Sequence, residues 1–220
     1  MAALLFLAGL LAHSPAAAQG VPLNAKAGPF QAQAARAFAR VQSLAKLNVA
    51  ARYVDGKKEK WCADIGAAAM EGSLGTPGNV DTVFICAELA RWKLSDDQLF
   101  YVIAHEFGHL ALHHTVRVAD KQKELLDAWT IMRPSKNAKA WIEETIAPMR
   151  LEFEKDADRY AVSLMNQAGI DPRRAVETLN RGADIDGPRT PYLDAVIRER
   201  ERNILRPPVR ILITPKPHFD

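Results

Sequence analysis

The chain has 220 residues, 48% hydrophobic and 25% charged, with 29 basic and 26 acidic side chains for a net charge of +3. That length fits one or two globular domains, and the composition excludes a collagen-like, low-complexity or wholly disordered chain. So small a charge excess, with 7% aromatic residues and no basic run interleaving them, gives no case for nucleic acid or an anionic membrane as the main partner.

Ala2 to Ala12 is an uncharged apolar run, followed by His13-Ser14-Pro15 and Ala16-Ala17-Ala18-Gln19. A short apolar core, a helix breaker and a small-x-small site read as a secretory signal over residues 1–18, although no Lys or Arg precedes the run. About eleven apolar residues fall short of the roughly twenty that cross a bilayer. The expectation is therefore export, to a periplasm or out of the cell, with no stable membrane insertion after signal removal. In an exported protein the even cysteine count suggests a Cys62–Cys86 disulfide. It would close a loop of about 25 residues and add about 3 kcal/mol.

Pro29 opens an amphipathic helix to about Leu47, with Phe30, Ala34, Phe38, Val41, Leu44 and Ala45 near one face. Val49–Val54 reads as a strand, Asp55-Gly56 as a tight turn and Trp61 onward as a returning strand. Gly72, Gly75, Pro77 and Gly78 mark a loop, and Thr82–Cys86 is a strongly β-prone strand. Ser95 to Gln98 fits a capping box and starts a helix to about His114. Further helices are expected over about 120–132, about 138–167 (broken or kinked at Pro148), from Asp171-Pro172 to about Arg181, and about 192–203. Gly169 is the expected C-cap of the long helix. The Pro-rich tail, 206–220, holds one expected strand at Val209–Ile213. The sum is an α+β domain, mostly α, over residues 19–205.

His105-Glu106-Phe107-Gly108-His109 carries the pattern His-Glu-x-x-His. Residues four apart on a helix share a face, about 6 Å apart in rise, so two imidazoles can meet one tetrahedral zinc. Glu106, about 100° round the helix, can reach a water at the metal without ligating it. Four of the six histidines fall between 105 and 114. Val102, Ile103, Ala104 and Leu110 flank them, which predicts a buried His face. A catalytic zinc takes a third protein ligand. His113 lies about 12 Å along the helix from His105, too far for one ion with bonds of about 2 Å. His218 is close to the chain end. Glu154 is the best candidate, on a stripe with Arg150, Asp158 and Val162, and Asp158 could then fix the tautomer of a ligating His. Glu152, with Asp156 at the same spacing, is a rival that composition leaves open.

The segment from His105 to His114 resembles the active-site helix of the HtpX-like and CAAX-prenyl-protease-like zinc metallopeptidases, which are gluzincins. Their downstream Glu-x-x-Ala-Asp and Ala-Gly-x-Asp-Pro resemble Glu154-Lys155-Asp156-Ala157-Asp158 and Ala168-Gly169-Ile170-Asp171-Pro172 in order and phase. The resemblance covers about residues 60–182, and Ala157 selects Glu154 over Glu152. Members often have transmembrane helices, and this chain has no such segment. Their Asn-Ala-Phe stretch has a loose counterpart at Ala67–Met70. Their late His-Pro motif is absent, Thr190-Pro191 being the nearest trace, which argues against an active-site contribution from the C-terminal region.

The resemblance implies a zincin-like domain whose small antiparallel sheet has an edge strand, Thr82, Val83, Phe84 and Ile85, beside the active-site helix to pair with substrate. It implies one zinc per chain, held by His105, His109 and Glu154, with Asp158 behind them and Glu106 as general base. Arg150, His114 and Tyr160 are candidate transition-state donors, against blander roles: Arg150 pairing with Asp158, or His114 capping the helix. The expected activity is a zinc endopeptidase acting on peptide or unfolded exported proteins, by analogy in quality control. The alternative is a catalytically silent, chaperone-like metal-binding module.

Overall fold

A computed structural model describes residues 20–55, 60–62, 66–132, 137–185 and 190–206. The expected signal (1–18), Gly56, the strand at Val209–Ile213 and His218 lie outside the described residues.

The chain runs β1 (Val21–Pro22), α1 (Pro29–Ala45), β2 (Ala50–Val54), β3 (Ala67–Met70), β4 (Thr82–Cys86), α2 (Asp96–Ala111), α3 (His114–Met132), α4 (Ala138–Gln167), α5 (Arg173–Ile185) and α6 (Pro191–Ile204). Short 3-10 turns fill Lys60–Cys62, Gly72–Leu74, Pro77–Asn79 and Ala87–Trp92. Proline opens α1 and α6, where a missing N–H costs nothing. Ser95 and Gln98 exchange both bonds of a capping box at α2, and Asn137 caps α4. Helix α4 runs through Pro148 without a break. Gly169 follows its C-cap at φ 71°.

The sheet order is β1-β2-β4-β3. β2 pairs parallel with β4, with Arg52 opposite Phe84, while β3 pairs antiparallel with it, Ala69 opposite Val83. Two expectations fall here. The sheet is mixed, and β2 has no hairpin partner after Trp61, because the Trp61 segment turns to cover the far sheet face. There Trp61 meets Phe84 edge-on at 5.7 Å, and Cys62 is bonded to Cys86. The third correction concerns Thr82–Ile85. β4 is paired on one side with β2 and on the other with β3, so it has no free edge for a substrate. The outer strand next to α2 is β3.

Strand alternation sorts β4 between two cores. Val83 and Ile85 face a main cluster with Phe38 and Val41 of α1, Ile103 and Phe107 of α2, and Ala161 and Met165 of α4. Phe84 and Cys86 face a smaller one with Val54, Ala68 and Met70. Helix α2 is thus wrapped by α1, β3, α4 and α5. Every residue of it from Gln98 to Ala111 is buried. Among the described residues, no helix is long and apolar enough to cross a membrane.

Candidate active site

One helical turn separates His105 and His109, and their Nε2 atoms lie 3.1 Å apart. Glu154 reaches them from α4, with Oε2 at 3.3 Å from His105 Nε2 and Oε1 at 3.5 Å from His109 Nε2. These ligand atoms of His105, His109 and Glu154 all lie within 4.8 Å of one another. The approach depends on Gly108. A Cβ there would stand 2.9 Å from Ala157 Cα and 3.1 Å from its carbonyl oxygen, so only glycine lets α2 and α4 touch at this level. Glu152 faces away. Its side chain is 62% exposed and pairs with Lys155 at 2.7 Å.

Asp158 orients His105 from behind. Its Oδ1 lies 3.0 Å from His105 Nδ1 and accepts from Tyr101 Oη at 2.7 Å, while Arg200 Nε and Nη2 each donate to the carboxylate at 2.8 Å. An ionised Asp158 requires the proton on His105 Nδ1, which leaves the Nε2 lone pair aimed at Glu154. Arg200 Nη1 also stands 3.0 Å from Glu154 Oε2. His114 does for His109 what Asp158 does for His105: the two Nδ1 atoms are 3.0 Å apart. Its ring stacks on Phe153 at 4.2 Å, and Arg117 lies over the same Phe153 ring at 4.3 Å.

Burial drives the titration of the site, and charge redirects it. Burial opposes ionisation of Asp158 and Glu154, but the Arg200 charge outweighs it and holds both well below the usual carboxylate range. Burial also opposes charging of His105, yet hydrogen bonds to Asp158 and Glu154 raise it to about 9. Burial lowers His109, and it drives His114 down to about 2, helped by the His109 and Arg117 charges. Glu106 is pushed up by burial to about 7, opposed by the His105 charge and by a backbone hydrogen bond from Ala69 of β3.

This donor set fits a metal. Two imidazole Nε2 atoms and a carboxylate converge within 4.8 Å, and Glu106 Oε1 is buried without a hydrogen-bond partner. Converging lone pairs in a dry site call for a cation. In number and kind the three ligands suit zinc. The model of peptidase family M48 matches residues 67–207, from β3 past the end of α6. The chain belongs to peptidase family M48. M48 membership makes it a zinc metallopeptidase, and the cluster of His105, His109 and Glu154 is where one zinc would bind. No curated protein matches the chain.

The structure brings together His105, Glu106, His109, Glu154 and Asp158. The three candidate transition-state donors lie as follows. His114 stands on the Nδ1 side of His109, behind the ligand, where it positions that ring. It caps no helix end of α2, because α2 stops at Ala111 and His114 begins α3. Tyr160 is packed in the main apolar cluster, where burial pushes its phenol to about 12. Arg150 is ion-paired with Glu143, and the partner of Asp158 is Arg200.

Arg200 was also missed, so the C-terminal region does reach the site. Arg198-Glu199-Arg200-Glu201-Arg202 looks like a solvated charge run. The available signal was periodicity, since Leu193, Val196, Ile197, Arg200 and Ile204 fall on one buried face of α6. Glu71 was missed as well. It is buried after β3, accepts from Thr115 Oγ1 at 3.1 Å and from the Val116 N–H at 3.3 Å, and lies 2.8 Å from His113 Nδ1. It holds His113 at φ 55°, the corner that ends α2 three residues early and swings His114 behind His109.

Proposed function

We propose that this M48 member is an endopeptidase that cuts extended segments of exported or misfolded proteins, in a periplasm or outside the cell. Glu106 supports the reading most directly. It is a buried carboxylate with an unpartnered oxygen, beside the ligand cluster and one residue from His105. A carboxylate so placed takes a proton from an attacking water and returns it to the leaving amine within one cycle. Zinc held by His105, His109 and Glu154 supplies Lewis acidity toward the scissile carbonyl and the water. Asp158 and His114 fix the two imidazoles in the ligating orientation, and Arg200 keeps Asp158 and Glu154 ionised together. Burial of these side chains strengthens each of these interactions.

Substrate alignment is assigned to β3. It is an outer strand, it packs on α2, and Ala69 already bonds to Glu106. β3 is buried throughout, so an extended chain would first displace what covers Ala67–Met70 and would then be held by backbone bonds without reading its sequence, which suits unfolded substrates. Unfolded protein is thus the expected partner, with no role for nucleic acid. Export rests on the apolar run and small-residue site of residues 1–18.

The test is casein degradation by the wild-type protein and Glu106→Gln, with zinc content measured in both. Loss of at least a hundredfold in turnover with zinc retained is the expected outcome. Equal turnover would contradict the assignment of Glu106. Zinc bound but no turnover in the wild type would favour a silent module that grips extended chains.

A further inference from the structure

Helices α3 and α4 continue past the site as a two-helix arm. Ile142 and Ile146 of α4 pack with Val118 and Leu125 of α3 in a cluster apart from the main one. Phe153 closes that cluster at its base, where it stacks on His114. From His114 to Met132, α3 rises about 27 Å. The far end of the arm, where α3 stops and α4 starts, is about that distance from the ligand cluster.

That end is apolar where water should favour polar groups. Ile131 is 83% exposed and Met132 60%, the two most exposed large apolar side chains among the described residues. Leu126 is exposed a little further back. Trp129 and Trp141, two of the four tryptophans, stand half-buried at the same end. Charge is sorted there as well. From Ala128 to Ile142 the sequence holds three basic side chains and no acidic one, in a chain with 26 acids. Lys139 is exposed in this stretch. Acids resume at Asp127 and Glu143, and Glu143 is held by Arg150.

A second copy of the chain fits this end poorly. Two protruding side chains fall far short of the roughly 800 Å² per partner of a stable interface. Lys123, Glu124, Asp127 and Glu144 are exposed along the arm and interrupt any apolar seam toward the body. A bilayer surface asks for less. A few apolar side chains enter the acyl boundary, tryptophans sit at headgroup level, and basic groups meet anionic headgroups. The net charge of +3 gives the whole chain little attraction to such a surface, so the contact is local to this end. We propose that the end of the α3–α4 arm docks on an anionic lipid bilayer, with Ile131 and Met132 entering its interface and Lys139 at its headgroups. The contact is peripheral, since among the described residues no helix is long and apolar enough to cross a membrane.

Two measurements test it. In the first, zinc-loaded protein is sedimented with vesicles of phosphatidylcholine, alone or with about one third phosphatidylglycerol. Binding to the anionic vesicles should exceed binding to the neutral ones by at least about tenfold, and should fall as salt is raised. Ile131→Asp combined with Met132→Asp should weaken it at least about tenfold, and Lys139→Ala about fivefold. These positions are exposed and distant from the site, so melting temperature and casein turnover should stay as in wild type. In the second, a Trp61→Phe, Trp92→Phe chain keeps only Trp129 and Trp141. Lipids brominated on their acyl chains should quench its emission, and Ile131→Asp with Met132→Asp in that background should abolish the quenching. The apolar run at the N-terminus carries no tryptophan, so membrane contact there would leave the emission unquenched. If that chain does not fold, the sedimentation result decides alone. Equal binding by wild type and the double Asp variant, or no binding of wild type to either vesicle, would overturn the proposal. So would a lipid-free dimer that the double Asp variant dissociates, because the end of the arm would then belong to a second copy. Casein turnover decides the peptidase reading separately.

Discussion

Arg200 carries the charge that allows two carboxylates to stay ionised in a site closed to water. Its guanidinium spans Asp158 and Glu154 at 2.8 and 3.0 Å. Removing one partner of a buried ionic group costs about 3–5 kcal/mol, because the charges left behind are uncompensated. Arg200→Met should therefore lower stability by about that much in chelator-treated protein, measured by urea unfolding. Arg200→Lys should recover only part of it, since one ammonium cannot reproduce the two-sided fork. A destabilisation under 1 kcal/mol would show that the pair is weak. Residues around this group differed in how much the sequence betrayed them. His105, Glu106 and His109 follow from spacing on one helix, because chemistry and periodicity coincide there. Glu154 needed a choice of register between two acids with the same spacing. Arg200 was hidden because an alternating Arg-Glu run hides which member lies on the buried stripe.

Helices α2 and α4 form the frame of the site, and their contact at Gly108 and Ala157 sets the distance between the histidines and Glu154. Gly108→Ala leaves the chemistry of the ligands intact but places a methyl group 2.9 Å from Ala157 Cα. Overpacking of this kind costs about 1–3 kcal/mol. The expected result is a lower melting temperature and weaker zinc binding by competition with a chelator. Unchanged zinc affinity would mean that the helix contact does not set ligand spacing. Most helix starts were legible, because Pro29, Ser95, Asn137 and Thr190 each satisfy or remove an orphan N–H. The end of α2 was not. It depends on Glu71, which is 42 residues away from His113 in sequence. Nor was β3 legible as a strand: Ala67-Ala68-Ala69-Met70 has poor strand propensity, and pairing with β4 and burial impose its conformation.

Across the whole molecule, the sheet separates the site from a second layer tied by Cys62–Cys86. The parallel β2–β4 pair links residues about thirty apart, a non-local contact that strand patterning alone does not reveal. The M48 match begins at β3, so α1 and β2 lie before it, yet Phe38 of α1 packs on Phe107 of α2 at 5.4 Å. The disulfide sits on the far face of β4 from α2. Its loss should therefore loosen the domain without removing a ligand. Reduction should lower the melting temperature by about 6–12 °C, corresponding to about 3 kcal/mol for a loop of this length. Zinc content should not change. Calorimetry with and without reductant, followed by metal analysis, checks both parts; zinc loss on reduction would show that the two layers are coupled.

X-ray absorption at the zinc edge of the purified, zinc-loaded protein tests the metal site most directly. One zinc per chain, with two imidazole shells and a carboxylate oxygen at about 2.0–2.2 Å and no sulfur neighbour, is the predicted spectrum. Sulfur scattering, or protein that takes up no zinc, would contradict a site built from His105, His109 and Glu154.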